Sequence, residues 1–176
     1  ADGGRGVGMK QKFTARQIAE YGILITLAMI LSYLEALLPF LPAVPGVKLG
    51  LANIVVVFAL YCLGSLPAAI VSLVRVLLTA VLFGSGFAFL YSLAGAALSL
   101  LVMLLLKRTD RFSPVGTAAA GGVSHNIGQL LCAMALLETR QLAFYLPVLL
   151  LSGLAAGILI GAAADVLIRR LGALCK

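Results

Sequence analysis

Six long apolar runs, broken only by short clusters of proline, glycine and basic residues, occupy almost the whole sequence. They fall at roughly residues 18–38, 49–63, 68–83, 87–106, 115–137 and 144–168. Crossing a hydrocarbon layer takes roughly 20 apolar helical residues, so runs of this kind point to membrane spans. Lipid cannot satisfy loose backbone N–H and C=O groups, which leaves helices or closed barrels as the spanning structures. The runs are uniformly apolar and lack the alternation of a barrel strand. The expected fold is therefore all-α: an integral membrane protein built as a six-transmembrane-helix bundle. Only 11% of the 176 residues are charged, against about 25% in soluble domains. Six spans leave only short connections, so residues 9–176 read as one transmembrane domain. The first eight residues, ahead of Met9, have no periodicity and read as a vector-derived or processed leader.

The formal net charge of +7 does not imply nucleic acid. Its basic residues sit in short clusters between apolar runs, without interleaved aromatic platforms. Membrane proteins collect Lys and Arg in their cytoplasmic loops. One side of the bundle receives Lys10, Lys12, Arg16, Lys107, Arg108, Arg111, Arg169, Arg170 and Lys176, the other only Lys48 and Arg140. That asymmetry leads to the expectation of both termini in the cytoplasm, and an even number of spans agrees with it. Gly153, Gly157 and Gly161 recur at every fourth position, and Ser124 and Gly128 share that spacing. Such residues let helices approach closely in lipid and are expected to pack within the bundle. Ala15 and Ala19 stand four apart near the start of the first span.

Polar groups submerged in the apolar runs carry the functional information, because a charge near the bilayer centre costs at least ~2.5–3.5 kcal/mol. Arg75 lies well inside the third run and His125 well inside the fifth. Asn126 follows His125, and Gln129 stands one turn above it on the same helical face. Asn53 is about one turn into the second run, Glu35 is near the outer end of the first, and Lys48 is in the loop between them. Converging on the middle and outer half of the bundle, these residues would form a cationic, hydrogen-bonding pocket. Arg75 and Lys48 would hold an anionic group, the amides and the imidazole would orient it, and the proline-rich residues 39–48 could close over it. The alternative is structural: Arg75 paired with Glu35, and the amides and imidazole bonding helix to helix.

The motifs of self-contained catalysis are missing. Asp110 and Asp165 stand alone, without the clustered carboxylates that hold Mg²⁺ in prenyl- or phosphoryl-transfer enzymes. There is no GxxxxGK[ST] loop for ATP. The single histidine and the absence of CxxC argue against zinc, haem or iron–sulfur ligation. No cofactor is expected.

The segments Tyr33-Leu34-Glu35-Ala36-Leu37-Leu38-Pro39 and Val44-Pro45-Gly46-Val47-Lys48-Leu49-Gly50-Leu51-Ala52-Asn53 resemble a small bacterial membrane family. So do Arg75-Val76-Leu77-Leu78, Phe83-Gly84, Tyr91-Ser92-Leu93-Ala94-Gly95 and Ser124-His125-Asn126-Ile127-Gly128-Gln129. That family is labelled heptaprenyl diphosphate synthase component I, or Gx transporter. It is in turn similar to the substrate-binding S-components of energy-coupling-factor (ECF) transporters. This resemblance implies a bacterial cytoplasmic membrane protein with six helices, an outward-facing pocket and a lid formed by the first outer loop. It also implies docking through small residues of the first helix, here Ala15 and Ala19, onto a coupling subunit driven by two ATPases. The synthase label implies instead a non-catalytic membrane subunit presenting an isoprenoid to a soluble partner. A membrane anchor of a redox system is a third possibility.

Overall fold

The computed structural model describes residues 14–37, 50–83 and 86–172. Within them the chain is helical, with no strand among the described residues: α1 (Ala15–Leu37), α2 (Asn53–Cys62), α3 (Ser65–Phe83), α4 (Gly86–Arg108), α5 (Pro114–Leu137), a 3₁₀ turn (Arg140–Tyr145) and α6 (Leu146–Arg170). Four segments are long and apolar enough to cross a membrane: Ala15–Leu37, Ser65–Leu82, Phe89–Arg108 and Arg140–Arg170. The expected six-helix bundle is thus met in helix number, while α2 and α5 differ from ordinary spans for separate reasons.

Helix α5 has the length of a span but carries Thr117, Ser124, His125, Asn126 and Gln129. It can do so because it sits between α4 and α6, which pack along its length, and Thr117, Ser124 and Asn126 are buried. Helix α2 is shorter than residues 49–63 predicted. Its 10 residues span ~15 Å at ~1.5 Å per residue, half the hydrocarbon thickness. It is wrapped on all sides, with every residue from Val55 to Leu60 buried. A positive φ at Gly64 (+107°) turns the chain directly into α3. Pro67, which falls between the second and third apolar runs, lies in the first turn of α3, where proline removes no helical hydrogen bond.

The lower end of α2 is tied to its neighbours by polar contacts. Lys107 at the end of α4 donates to the Leu60 carbonyl and lies 5.5 Å from the centre of the Tyr61 ring. The Tyr61 hydroxyl shares a 2.7 Å hydrogen bond with Thr117 and donates to the Phe112 carbonyl. These contacts put the end of α4, the end of α2 and the start of α5 at one end of the bundle, with Lys107, Arg108 and Arg111. The packing of Gly161 against Val115 brings the end of α6, with Arg169 and Arg170, to the same end.

The glycine spacing of α6 is used within the chain. A Cβ on Gly157 would lie 2.6 Å from the Ala118 carbonyl oxygen and 2.7 Å from Ala119 Cα, and one on Gly161 2.6 Å from Val115 Cα. On the other side of α5, a Cβ on Gly128 would lie 2.7 Å from the Ala94 carbonyl oxygen of α4. Three helices are thus held at backbone-to-backbone distance, where dispersion and short-range dipoles replace the missing hydrophobic drive. By contrast α1 buries only Leu24 and Ala28.

Gly157→Ala forces backbone apart along the α5–α6 seam and is expected to destabilise the protein by about 1–3 kcal/mol. Gly22→Ala, whose new methyl would meet nothing within 4 Å, is expected to be neutral or slightly stabilising. Thermal unfolding of both variants in detergent checks the pair.

Candidate functional site

The short α2 sets the position of the site. Counted up from Leu60 at the basic end, Gly50 lies ~15 Å away along the helix direction, so irregular backbone begins about half a bilayer from that end. Backbone without helical partners is tolerated at such depth only where protein or a wet cavity satisfies it. Glu35 does this. One carboxylate oxygen accepts from the Gly50 N–H at 2.6 Å and the other from the Leu51 N–H at 3.1 Å. Gly50 adopts φ +72°, a left-handed conformation that glycine takes without strain. Its carbonyl then accepts from the Asn53 N–H at 2.8 Å, which starts α2.

Above this turn lies a cavity of about 250 Å³, walled by the upper part of α1, the start of α2 and the middle of α3, α5 and α6, with the beginning of α4. The sequence-predicted residues Arg75, His125, Asn126, Gln129, Asn53 and Glu35 all line it. Lys48 and the rest of residues 39–48, expected to form a lid, lie outside the described residues. Ala15 and Ala19, the expected docking pair, are exposed on the first turns of α1, away from the cavity.

Two polar atoms on this wall lack partners. Arg75 Nε and Ser32 Oγ are buried without any hydrogen bond. The expected alternative, an Arg75–Glu35 ion pair, does not form. The ion pairs among the described residues are Arg16–Glu20 and Arg169–Asp165, each within one helix. Glu35 is close enough to act electrostatically on Arg75, but its hydrogen bonds go to the α2 turn.

The amides divide between structure and site. Asn126 Nδ2 donates to the Leu149 carbonyl at 2.6 Å and to Ser152 Oγ at 3.4 Å, which ties α5 to α6 and leaves the amide oxygen for the cavity. His125 and Gln129, one turn apart, lie against α4 where Gly95 has no side chain. A Cβ there would be 2.7 Å from Gln129 Cγ and 3.0 Å from His125 Cε1.

Several lining residues were not singled out from the sequence. Ser32 stands one turn before Glu35 on α1, and Thr79 one turn after Arg75 on α3. Those offsets from the two charged residues were the available signal. Ser92 lies within the Tyr91–Gly95 segment that carries the family resemblance, and Phe89 carried no signal.

A family model described as Heptaprenyl diphosphate synthase component I matches residues 24–167. The chain belongs to that family. The matched span contains every described residue of the cavity wall. No curated protein and no solved structure matches this member of the family, so the likeness to ECF S-components rests on the sequence reading alone.

Glu35→Ala removes two charge-assisted hydrogen bonds, each worth about 1.5–3 kcal/mol. It is expected to speed amide hydrogen exchange at Gly50, Leu51 and the first turn of α2 while leaving the α5–α6 seam protected. Equal loss of protection throughout the bundle would contradict the local role.

Proposed function

We propose that this chain is a non-catalytic, membrane-embedded binding subunit, whose cavity holds a ligand by an anionic head group and makes it available to partner subunits. The observation that carries this reading is Arg75, which lines the cavity and whose buried Nε makes no hydrogen bond. A native packing network satisfies its buried donors; a receptor leaves the one its ligand will use. In this reading Arg75 and Ser32 contact the head group. His125, Gln129, Asn53 and the Asn126 amide oxygen orient the remainder, and Glu35 shapes the floor, with Lys48 a further candidate contact. The basic end faces the cytoplasm of a bacterium, and both termini lie on that side.

Family membership favours a setting in which the partner is another component of a heptaprenyl diphosphate synthase and the ligand an isoprenoid. The chain would then present the head group while a soluble partner supplies catalysis. The size of the cavity favours a second setting. At about 250 Å³ it matches a compact molecule better than a long prenyl tail. In that setting the chain is a receptor of S-component type in small-molecule uptake, docking a coupling subunit and its ATPases through the exposed Ala15 and Ala19.

Arg75→Met separates a binding role from a structural one. Removing an unsatisfied buried donor relieves about 1–3 kcal/mol, so the ligand-free variant is expected to unfold at a higher temperature than the parent. Native mass spectrometry of gently solubilised protein is expected to show a retained ligand on the parent and none on the variant. A variant that is less stable and still loaded would make Arg75 a structural residue. The same spectra separate the settings by the subunits that co-purify, a prenyl synthase partner or ATPases.

A further inference from the structure

The two charges on the cavity wall are not equivalent. Glu35 is answered on both oxygens by backbone N–H groups, at the start of α2, where helix peptide dipoles add positive partial charge. Among the described residues Arg75 has no ion-pair contact, and its Nε has no hydrogen bond. The described wall therefore presents one carboxylate with both oxygens hydrogen-bonded and one guanidinium whose Nε still lacks an acceptor. The hydroxyl of Ser32 on the facing helix is likewise unused.

From this charge pattern we infer that the site selects a compact carboxylate, with a single negative charge set against Arg75 and Ser32. The inference rests on the cavity being a ligand site, as proposed above, and narrows its ligand to one class. A carboxylate presents two coplanar oxygens, which match the edge of a guanidinium and accept from Nε and a neighbouring N–H together. Its single charge is met by the guanidinium of Arg75, the one lysine or arginine among the described wall residues. A diphosphate brings two or more charges, and the surplus would be buried beside Glu35 without a described cation to meet it. The volume agrees, since about 250 Å³ suits a compact molecule. Around the head group, Asn53, Ser92, His125 and Gln129 offer hydrogen bonds, and Val76, Phe89 and Ile160 an apolar surface.

Thermal unfolding of the full chain in neutral detergent at constant ionic strength tests this with three probes: benzoate, its uncharged isostere benzamide, and inorganic diphosphate. Saturating benzoate is expected to raise the midpoint by about 5 °C, and benzamide and diphosphate to leave it unchanged. Arg75→Gln is expected to abolish the benzoate shift, and Ser32→Ala to weaken benzoate affinity about tenfold. Stabilisation by diphosphate in preference to benzoate, lost in Arg75→Gln, would overturn the carboxylate assignment while leaving the ligand site in place. No response to benzoate in the parent, or a benzoate shift that survives Arg75→Gln, would also overturn the assignment. The retained-ligand measurement on Arg75→Met judges the site itself independently.

Discussion

The arrangement depends on how the chain restarts as a helix at membrane depth. Helix α2 has ten residues inside a bundle whose other five helices have 19 to 25. The N–H groups of its first residues bond back to the Gly50, Leu51 and Ala52 carbonyls, which leaves the Gly50 and Leu51 N–H groups in need of an acceptor where hydrocarbon supplies none. Glu35 meets this demand from the neighbouring helix with one oxygen for each of two consecutive N–H groups. A carboxylate in this position is stabilised by the same positive helix end that it satisfies. The contact lets a ten-residue helix start in the core, and the cavity is lined by residues at that start, Gly50 and Asn53.

That solution leaves Arg75 without the partner that composition alone would assign to it. Glu35 is the acidic residue on the described cavity wall, and the turn already holds both its oxygens. A buried guanidinium with an unused donor is costly, and nothing in the packing of α3 requires an arginine there. Val71 and Val76 nearby are buried apolar residues, as expected where α3 meets the core. The polar wall is therefore difficult to explain as structure and easy to explain as a surface awaiting a second component. Asn126 makes the contrast. Its nitrogen is fully engaged with α6, as a residue acting as interhelical glue should be.

The sequence revealed much of this because lipid makes polar residues expensive. A chain that keeps an arginine, a histidine and several amides inside apolar runs has few places to put them, and Arg75, His125, Asn126, Gln129, Asn53 and Glu35 do share one cavity wall. The spacing of Gly153, Gly157 and Gly161 was legible for a related reason, since close approach is the main gain from glycine in a spanning helix. What escaped the sequence was non-local. Residues 49–63 are evenly apolar, and the late start of α2 depends on a contact between residues 35 and 50. Pro67 reads as a break until its place in the first turn of α3 is known. Ser32 and Thr79 were passed over because a hydroxyl in a helix commonly bonds its own backbone, as Thr26 does to the Gly22 carbonyl, and so seldom marks a site.

The walls of the cavity are held with unequal strength. Helices α4, α5 and α6 meet backbone to backbone at Gly95, Gly128, Gly153 and Gly157, and separating them would break many short contacts together. Helix α1, which contributes Ser32 and Glu35, buries only Leu24 and Ala28, and its Thr79–Met29 contact with α3 is a weak hydroxyl–sulfur bond of 3.7 Å. Local opening costs least where buried contacts are fewest. Displacing the upper part of α1 would widen the cavity, remove Ser32 from the wall and release the Gly50 and Leu51 amides together. The side chain of Glu35 thus joins the cavity wall to the turn that starts α2.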